Sequence, residues 1–391
     1  MNTGLSFSFG LPTKIVYGID SLNRVGSEAK RLGASKTLIV TDQGVTNVGL
    51  VDVLKESLDK DGLPYEVFSE VSIDPNRRVV KEGLSRLRSA KCDLVTVIGG
   101  GSPICAGKAI ALLATNGGDL TDYEGVDKVL VSPLPVIAVP TTAGSGSEVS
   151  PTFIITDEDR NGHKMAVTSM MCSPVVAVLD PSVVAKLPAG QFVISGMDAL
   201  VHGMESICTN LSNPLTDSIA YEAIRLIMTS LPKAAFSDDM NAKAHQLLAS
   251  TMANIACGNA KLGIIHGITS AMGKYHLPHG LVNGILLPYA MEYNLGVAYE
   301  KYARVAEVVH AARLNMTTMG KARLAIAQVR ELFDLLEFPD RLPADVVPKS
   351  EIPAMASMAM GRSQMKFNLR KPQESEIAQL LNRAFDGWRT E

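Results

Sequence analysis

Two short stretches, GMDALVHGMES (residues 196–206) and IHGITSAMGKYHLPHG (265–280), hold one aspartate and four of the chain's seven histidines. Asp198 and His202 are four residues apart in an apolar-periodic run. On a helix both side chains would leave one face and close on a single ion. His266 and His279 supply two more ligands from elsewhere in the chain. One carboxylate with three imidazoles is a borderline ligand set that suits Fe(II) or Zn(II), not the all-oxygen cage of calcium or magnesium. A lone histidine is more often a helix or cap residue, whereas this constellation points to a metal.

A second chemistry resides in glycine. Gly99, Gly100, Gly101 and Ser102 follow the apolar run DLVTVI and precede the helical pattern PICAGKAIALLA (103–114), so backbone N–H groups at a helix start can face an anion. Five residues separate Gly101 from the Gly107–Lys108 pair, with Ala109 where a P-loop needs Ser or Thr, and GSGSEV (144–149) ends in Val149 where a dinucleotide fingerprint needs glycine. One such loop is as often a tight turn as a ligand site, but two at strand ends favour a nucleotide. Asp42, at the end of KTLIVTD (36–42), stands where a carboxylate can bind an adenosine ribose and repel a 2′-phosphate, or where it can cap a helix.

These residues need elements to hold them. The 391-residue length calls for two domains. Over residues 36–181, strand-like runs (36–42, 64–70, 93–98, 135–140, 175–181) alternate with helical patterns such as 50–60 and 77–91, as in a parallel sheet wrapped by helices. Beyond Pro188 strand signals vanish, and segments such as 216–231 and 243–260 carry helical spacing. The expectation is an α/β dinucleotide-binding domain over 1–187 and an all-α metal-binding and substrate domain over 188–391. A net charge of −3 gives no basic field for nucleic acid or an anionic membrane. No long apolar span appears, and five scattered cysteines argue against a disulfide framework, which together suggest a cytoplasmic protein.

With both features in view, the chain resembles the iron-dependent alcohol dehydrogenases, a metal-dependent group. GGGSP, PTTAGSGSEV, LDP, GMDAL-x-H, IHG, LPHG and ILLPYAMEYN occur in that family's order nearly end to end. The resemblance implies a dehydroquinate synthase-like architecture with the active site in a cleft between the domains. It implies metal ligands at Asp198, His202, His266 and His279, and pyrophosphate contacts at Gly99, Gly100, Gly101 and Ser102. It also implies a second cofactor loop at Thr141, Thr142, Gly144 and Ser147, a ribose carboxylate at Asp42 that selects NAD over NADP, and Lys164 near the cofactor. The implied activity interconverts a small alcohol or hydroxy acid with its aldehyde or ketone by hydride transfer, in a homodimer for which residues 14–17 offer an edge strand.

Three departures stand out. Cys105 occupies the seventh position of GGGS-x-x-D, where the family carries a carboxylate. Ser270 stands where many members place a proton-passing histidine four residues after the IHG histidine. His276 lies in a segment one residue shorter than usual, and together with Ser270 it is a candidate for the proton route. The competing readings are a dehydroquinate synthase-like lyase using NAD transiently, disfavoured by the aspartate and three histidines, and a member that kept the fold and lost the chemistry.

Overall fold

The computed structural model describes residues 6–389 apart from 161 and 314. The chain divides into two compact units, one spanning Gly10–Leu187 and the other running from Pro188 onward and including residues 6–9.

The described residues of the Gly10–Leu187 unit form nine strands: β1 (Lys14–Tyr17), β2 (Thr37–Val40), β3 (Tyr65–Phe68), β4 (Leu94–Gly99), β5 (Gly125–Val126), β6 (Val136–Pro140), β7 (Thr152–Asp157), β8 (His163–Thr168) and β9 (Val176–Leu179). Six form a sheet in the order β1-β9-β6-β4-β2-β3, every pair parallel. β2, β4, β6 and β9 are buried along their whole length, which is why they read as unbroken Val, Ile and Leu runs. The crossover helices are α1 (Val25–Arg31), α2 (Gln43–Asn47), α3 (Leu50–Lys60), α4 (Arg77–Ala90) and α5 (Gly101–Asn116), and a short α6 (Pro181–Val184) follows the last strand. Helix α4 shows how local chemistry sets the bounds. The Asn76 side chain accepts the Val79 N–H at its start, Val79, Val80, Gly83 and Leu87 make the buried stripe, and Lys91 ends it in the left-handed region.

Beside this expected parallel sheet lies a three-stranded sheet that the sequence did not foresee, in the order β5-β8-β7, in which β7 and β8 pair antiparallel from Thr152↔Thr168 to Asp157↔His163. In β7 only alternate residues are buried, the mark of a sheet with one covered face. That alternation is carried by few large apolar residues, which hid it among the longer runs.

From Pro188 onward the regular elements among the described residues are helices: α7 (Ala189–Ile207), α8 (Pro214–Phe236), α9 (Met240–Ala260), α10 (Ile264–Ala271), α11 (His279–Val308), α12 (Thr318–Leu335), α13 (Ile352–Met360) and α14 (Glu374–Asp386), with short 3₁₀ turns. Helix α7 packs against α8, α9 and α11 and is buried continuously from Gly196 to Ile207. A polar side chain on such a helix has no route to water and must find a partner inside. No helix among the described residues is long and apolar enough to cross a membrane.

Candidate metal centre and glycine-loop site

Asp198, His202 and Glu205 follow one another at spacings of four and three residues and so share one face of buried α7. His266 enters from the first turn of α10. The ligand atoms of Asp198, His202 and His266 lie within 4.8 Å of one another, and all three residues are buried. The rings of His202 and His266 stack, with centroids 4.9 Å apart and planes 23° apart. His279 is the outlying member. It is the first residue of α11, exposed, and its ring centroid is 5.2 Å from that of His266. The glycine after it explains how it comes so near. A Cβ on Gly280 would stand 2.4 Å from the Ile194 carbonyl oxygen and 3.0 Å from Asp198 Cβ, so only glycine lets the start of α11 press against α7.

Partners orient each group. The Asn283 amide donates to Asp198 Oδ1 at 2.7 Å and lies 3.1 Å from His266 Nε2. His266 Nδ1 donates to Glu205 Oε2 at 2.6 Å. The Asn254 amide lies 3.4 Å from His202 Nδ1. Burial pushes the Asp198 carboxyl up, but the imidazoles of His202, His279 and His266 and the Asn283 amide outweigh it, and the pKa lies below the ordinary carboxylate value. Burial drives His202 down to about 4, leaving a neutral imidazole at neutral pH. Burial also opposes charge on His266, but its hydrogen bond to Glu205 and the nearby carboxylates override that and raise its pKa. An anionic oxygen and two imidazoles fit a borderline divalent ion, with Glu205 at His266 Nδ1, Asn254 beside His202 Nδ1 and the Asn283 amide bridging Asp198 and His266 Nε2.

In the α/β unit, Gly99 ends β4 and Gly100 caps α5 without any side-chain cap. A Cβ on Gly100 would lie 3.2 Å from Thr142 Cγ2, and one on Gly101 would lie 3.2 Å from Ser145 Cβ and 3.5 Å from Ser147 Oγ. The Thr141 N–H donates to the Gly99 carbonyl at 3.0 Å. The fold therefore brings both glycine loops together, Gly99–Ser102 against the turn holding Thr141, Thr142, Gly144 and Ser147. Ser102 Oγ accepts the Asp74 N–H at 3.3 Å, and Asp74 pairs with Lys164 Nζ at 2.7 Å, so Lys164 reaches the first loop through Asp74. Asp42 follows β2 and caps α2, its Oδ1 accepting the Val45 N–H at 2.9 Å.

The two proton-route candidates both face solvent. Ser270 donates to the His266 carbonyl at 2.7 Å, and His276 sits with φ 53° after a 3₁₀ turn. Cys105 is half-buried and packs against the apolar core between α5 and the sheet.

An iron-containing alcohol dehydrogenase family model matches residues 12–181, and the C-terminal model of the Fe-containing alcohol dehydrogenase family matches residues 192–385. The chain belongs to the iron-containing alcohol dehydrogenase family. It is 36% identical over 384 residues to a 1,3-propanediol dehydrogenase of Citrobacter freundii, covering 97% of this chain and 99% of that protein. It is 34% identical over 379 residues to an NAD-dependent methanol dehydrogenase of Bacillus methanolicus, covering 96% and 99%. Among solved structures, a 1,3-propanediol oxidoreductase superposes with a TM-score of 0.95 at 34% identity, over 97% of this chain and 100% of that one. This iron-type alcohol dehydrogenase is thus an oxidoreductase of alcohols and aldehydes.

Three residues of this alcohol dehydrogenase escaped the sequence reading. Glu205 had a signal, since it continues the Asp198–His202 face of an otherwise apolar helix by one more turn. Asn283, four residues after His279, had the same i, i+4 spacing. Lys108 is a charge inside the apolar run of α5. It is buried, donates to the Ser150 and Thr152 carbonyls at 2.7 and 3.3 Å, and is pulled down by burial to about 8.

Proposed function

We propose that the chain oxidises a small alcohol or diol with NAD, and reduces the corresponding aldehyde or ketone with NADH, at a centre holding one divalent metal, Fe(II) or Zn(II). The buried group of Asp198, His202 and His266, with His266 Nδ1 taken up by Glu205, is the observation that carries this reading. His279 completes the ligand set from the first turn of α11. When bound, the metal supplies Lewis acidity that lowers the pKa of an alcohol oxygen or polarises a carbonyl.

The rest falls to side chains and backbone. The uncapped start of α5, with Gly99, Gly100, Gly101 and Ser102, offers N–H donors to a pyrophosphate, and Thr141, Thr142, Gly144 and Ser147 close over it. Asp42 retains Oδ2 for a ribose hydroxyl while Oδ1 caps α2, and Lys164 holds Asp74 against Ser102. Of the two groups proposed for the proton route, Ser270 has committed its hydrogen to the His266 carbonyl, whereas His276 can exchange a proton with solvent directly. The relatives' printed names support short alcohols and diols as substrates.

The assembly we propose is a homodimer built on β1, which pairs with β9 alone at the sheet edge and carries exposed Tyr17. Five unpaired cysteines fit a reducing cytoplasmic setting. The deciding experiment is elemental analysis of protein reconstituted with Fe(II) or Zn(II), followed by NADH formation with short alcohols and diols. Near-stoichiometric metal and metal-dependent NADH formation support the proposal; absence of metal after reconstitution overturns it.

A further inference from the structure

Glu205 lies outside the group of Asp198, His202 and His266, yet it is 5% exposed and both of its oxygens are engaged. Oε2 accepts from His266 Nδ1 at 2.6 Å, and Oε1 accepts from the Ile265 backbone N–H at 2.6 Å. Those two donors belong to adjacent residues at the start of α10, and the acceptor belongs to α7. One carboxylate therefore fixes the position of α10 and the orientation of the imidazole at the same time.

The consequence is chemical. A neutral imidazole carries one proton, and the nitrogen without it is the one that can ligate. A carboxylate can only accept, so its contact with Nδ1 places the proton there and leaves the Nε2 lone pair, 3.1 Å from the Asn283 amide nitrogen, as the one that can ligate. We propose that Glu205 is a positioning residue that selects the metal-binding tautomer of His266, and that its two acceptor oxygens, not its size, are what the site requires. The inference rests on the metal-centre reading above and assigns a role to a residue outside the ligand set.

Glu205→Gln isolates the claim because it preserves shape and removes one acceptor. An amide offers one oxygen and one NH₂ group. The Ile265 N–H cannot change its character, so the oxygen stays with it and the NH₂ turns toward Nδ1. The imidazole can satisfy that donor only by moving its proton to Nε2, where it blocks ligation and faces the Asn283 amide nitrogen, a second cost of losing the carboxylate. If the amide turns the other way, two N–H donors face each other in a buried site, which is also unfavourable.

The test compares the wild type, Glu205→Gln and Tyr302→Phe. Tyr302 lines the same small cavity as Glu205 and hydrogen-bonds Cys208, not His266, so its variant reports on a local disturbance that leaves the His266 contacts in place. Zinc affinity is measured by chelator competition on metal-free protein, together with the melting temperature of that protein. The tautomer is read from ¹⁵N shifts of the His266 ring in histidine-labelled metal-free protein, at a pH where the ring is neutral. The proposal expects Glu205→Gln to fold, to bind zinc about 10- to 100-fold more weakly, and to move the ring proton from Nδ1 to Nε2, while Tyr302→Phe binds zinc as the wild type does.

Wild-type affinity in Glu205→Gln, an unchanged tautomer, or an equal loss in Tyr302→Phe would each overturn it. A wild type that binds no zinc would instead sink the metal-centre reading. The ring shifts would still decide whether Glu205 sets the tautomer.

Discussion

The two regions proposed to bear the chemistry are built on opposite principles. The metal centre is a matter of side-chain identity: buried carboxylate and imidazole groups on α7 and α10, each held by a named partner. The glycine-loop site is a matter of missing side chains. Its donors are backbone N–H groups, and Gly100 and Gly101 count because a Cβ there would crowd Thr142 and Ser145. One site should therefore fail when an atom type changes without a change in volume, and the other when volume is added without a change in polarity.

The largest effect expected from this contrast is loss of a ligand. Asp198→Ala or His266→Ala should empty the metal centre and lower turnover by more than about 100-fold, beyond what a partner outside the ligand set usually costs. Binding of NAD, followed by fluorescence, should survive, and a variant that loses both would show the two regions to be one cooperative site. The converse change is Gly100→Val. Gly100 has an ordinary φ of −77°, so the backbone accepts a side chain there and the damage falls on what the loop holds. NAD affinity should drop about 10- to 100-fold, the value of one or two hydrogen bonds to a charged group, with metal content unchanged. Retained NAD affinity would remove the first loop from the cofactor site.

Lys108 sharpens the contrast from within the α/β unit, because it is a buried charge that serves backbone carbonyls and no ligand. Burial holds its pKa at about 8 against the ordinary 10.5. Between those values the unfolded chain binds more protons than the folded one, so the stability of the fold rises as pH climbs through the window, and below it the full penalty applies. Lys108→Met removes this titration, and Cys172, the thiol that feels the ammonium, is pushed up by burial to about 11 and so stays protonated below that window's upper end. Between about pH 7.5 and 9.5 the wild type should gain on the variant by about 2 kcal/mol in urea unfolding. A gap that does not change with pH would mean that the ammonium is not held where the hydrogen bonds to Ser150 and Thr152 place it.

The same contrast decides what the sequence could reveal. Ligand types at helical spacing are visible in a string of letters, and Asp198, His202 and His266 do converge. The parallel sheet was equally legible, because strands buried on both faces leave unbroken apolar runs. The antiparallel β7–β8 pair was not, since a half-exposed hairpin with threonine, lysine and histidine among its few buried apolar residues resembles a loop. Glu205 went unnoticed for a different reason. A glutamate near a helix end is ordinarily a solvated surface residue, and only the burial of α7 on all sides turns it into a partner for His266. Asp42 shows the limit most clearly, because its position after β2 serves a cap and a ribose contact alike.

That ambiguity can be separated by experiment. Asp42→Asn keeps an oxygen to accept the Val45 N–H, so α2 retains its cap, while the negative charge is gone. If the carboxylate excludes a 2′-phosphate and binds ribose hydroxyls, the ratio of kcat/KM for NADP to that for NAD should rise roughly tenfold, with the melting temperature unchanged. Asp42→Ala removes charge and cap together, and should show the same change in cofactor preference plus a loss of about 1 kcal/mol in stability. An unaltered cofactor ratio in Asp42→Asn beside a destabilised Asp42→Ala would reduce Asp42 to the start of α2 and move discrimination at the adenosine end to other residues of the α/β unit.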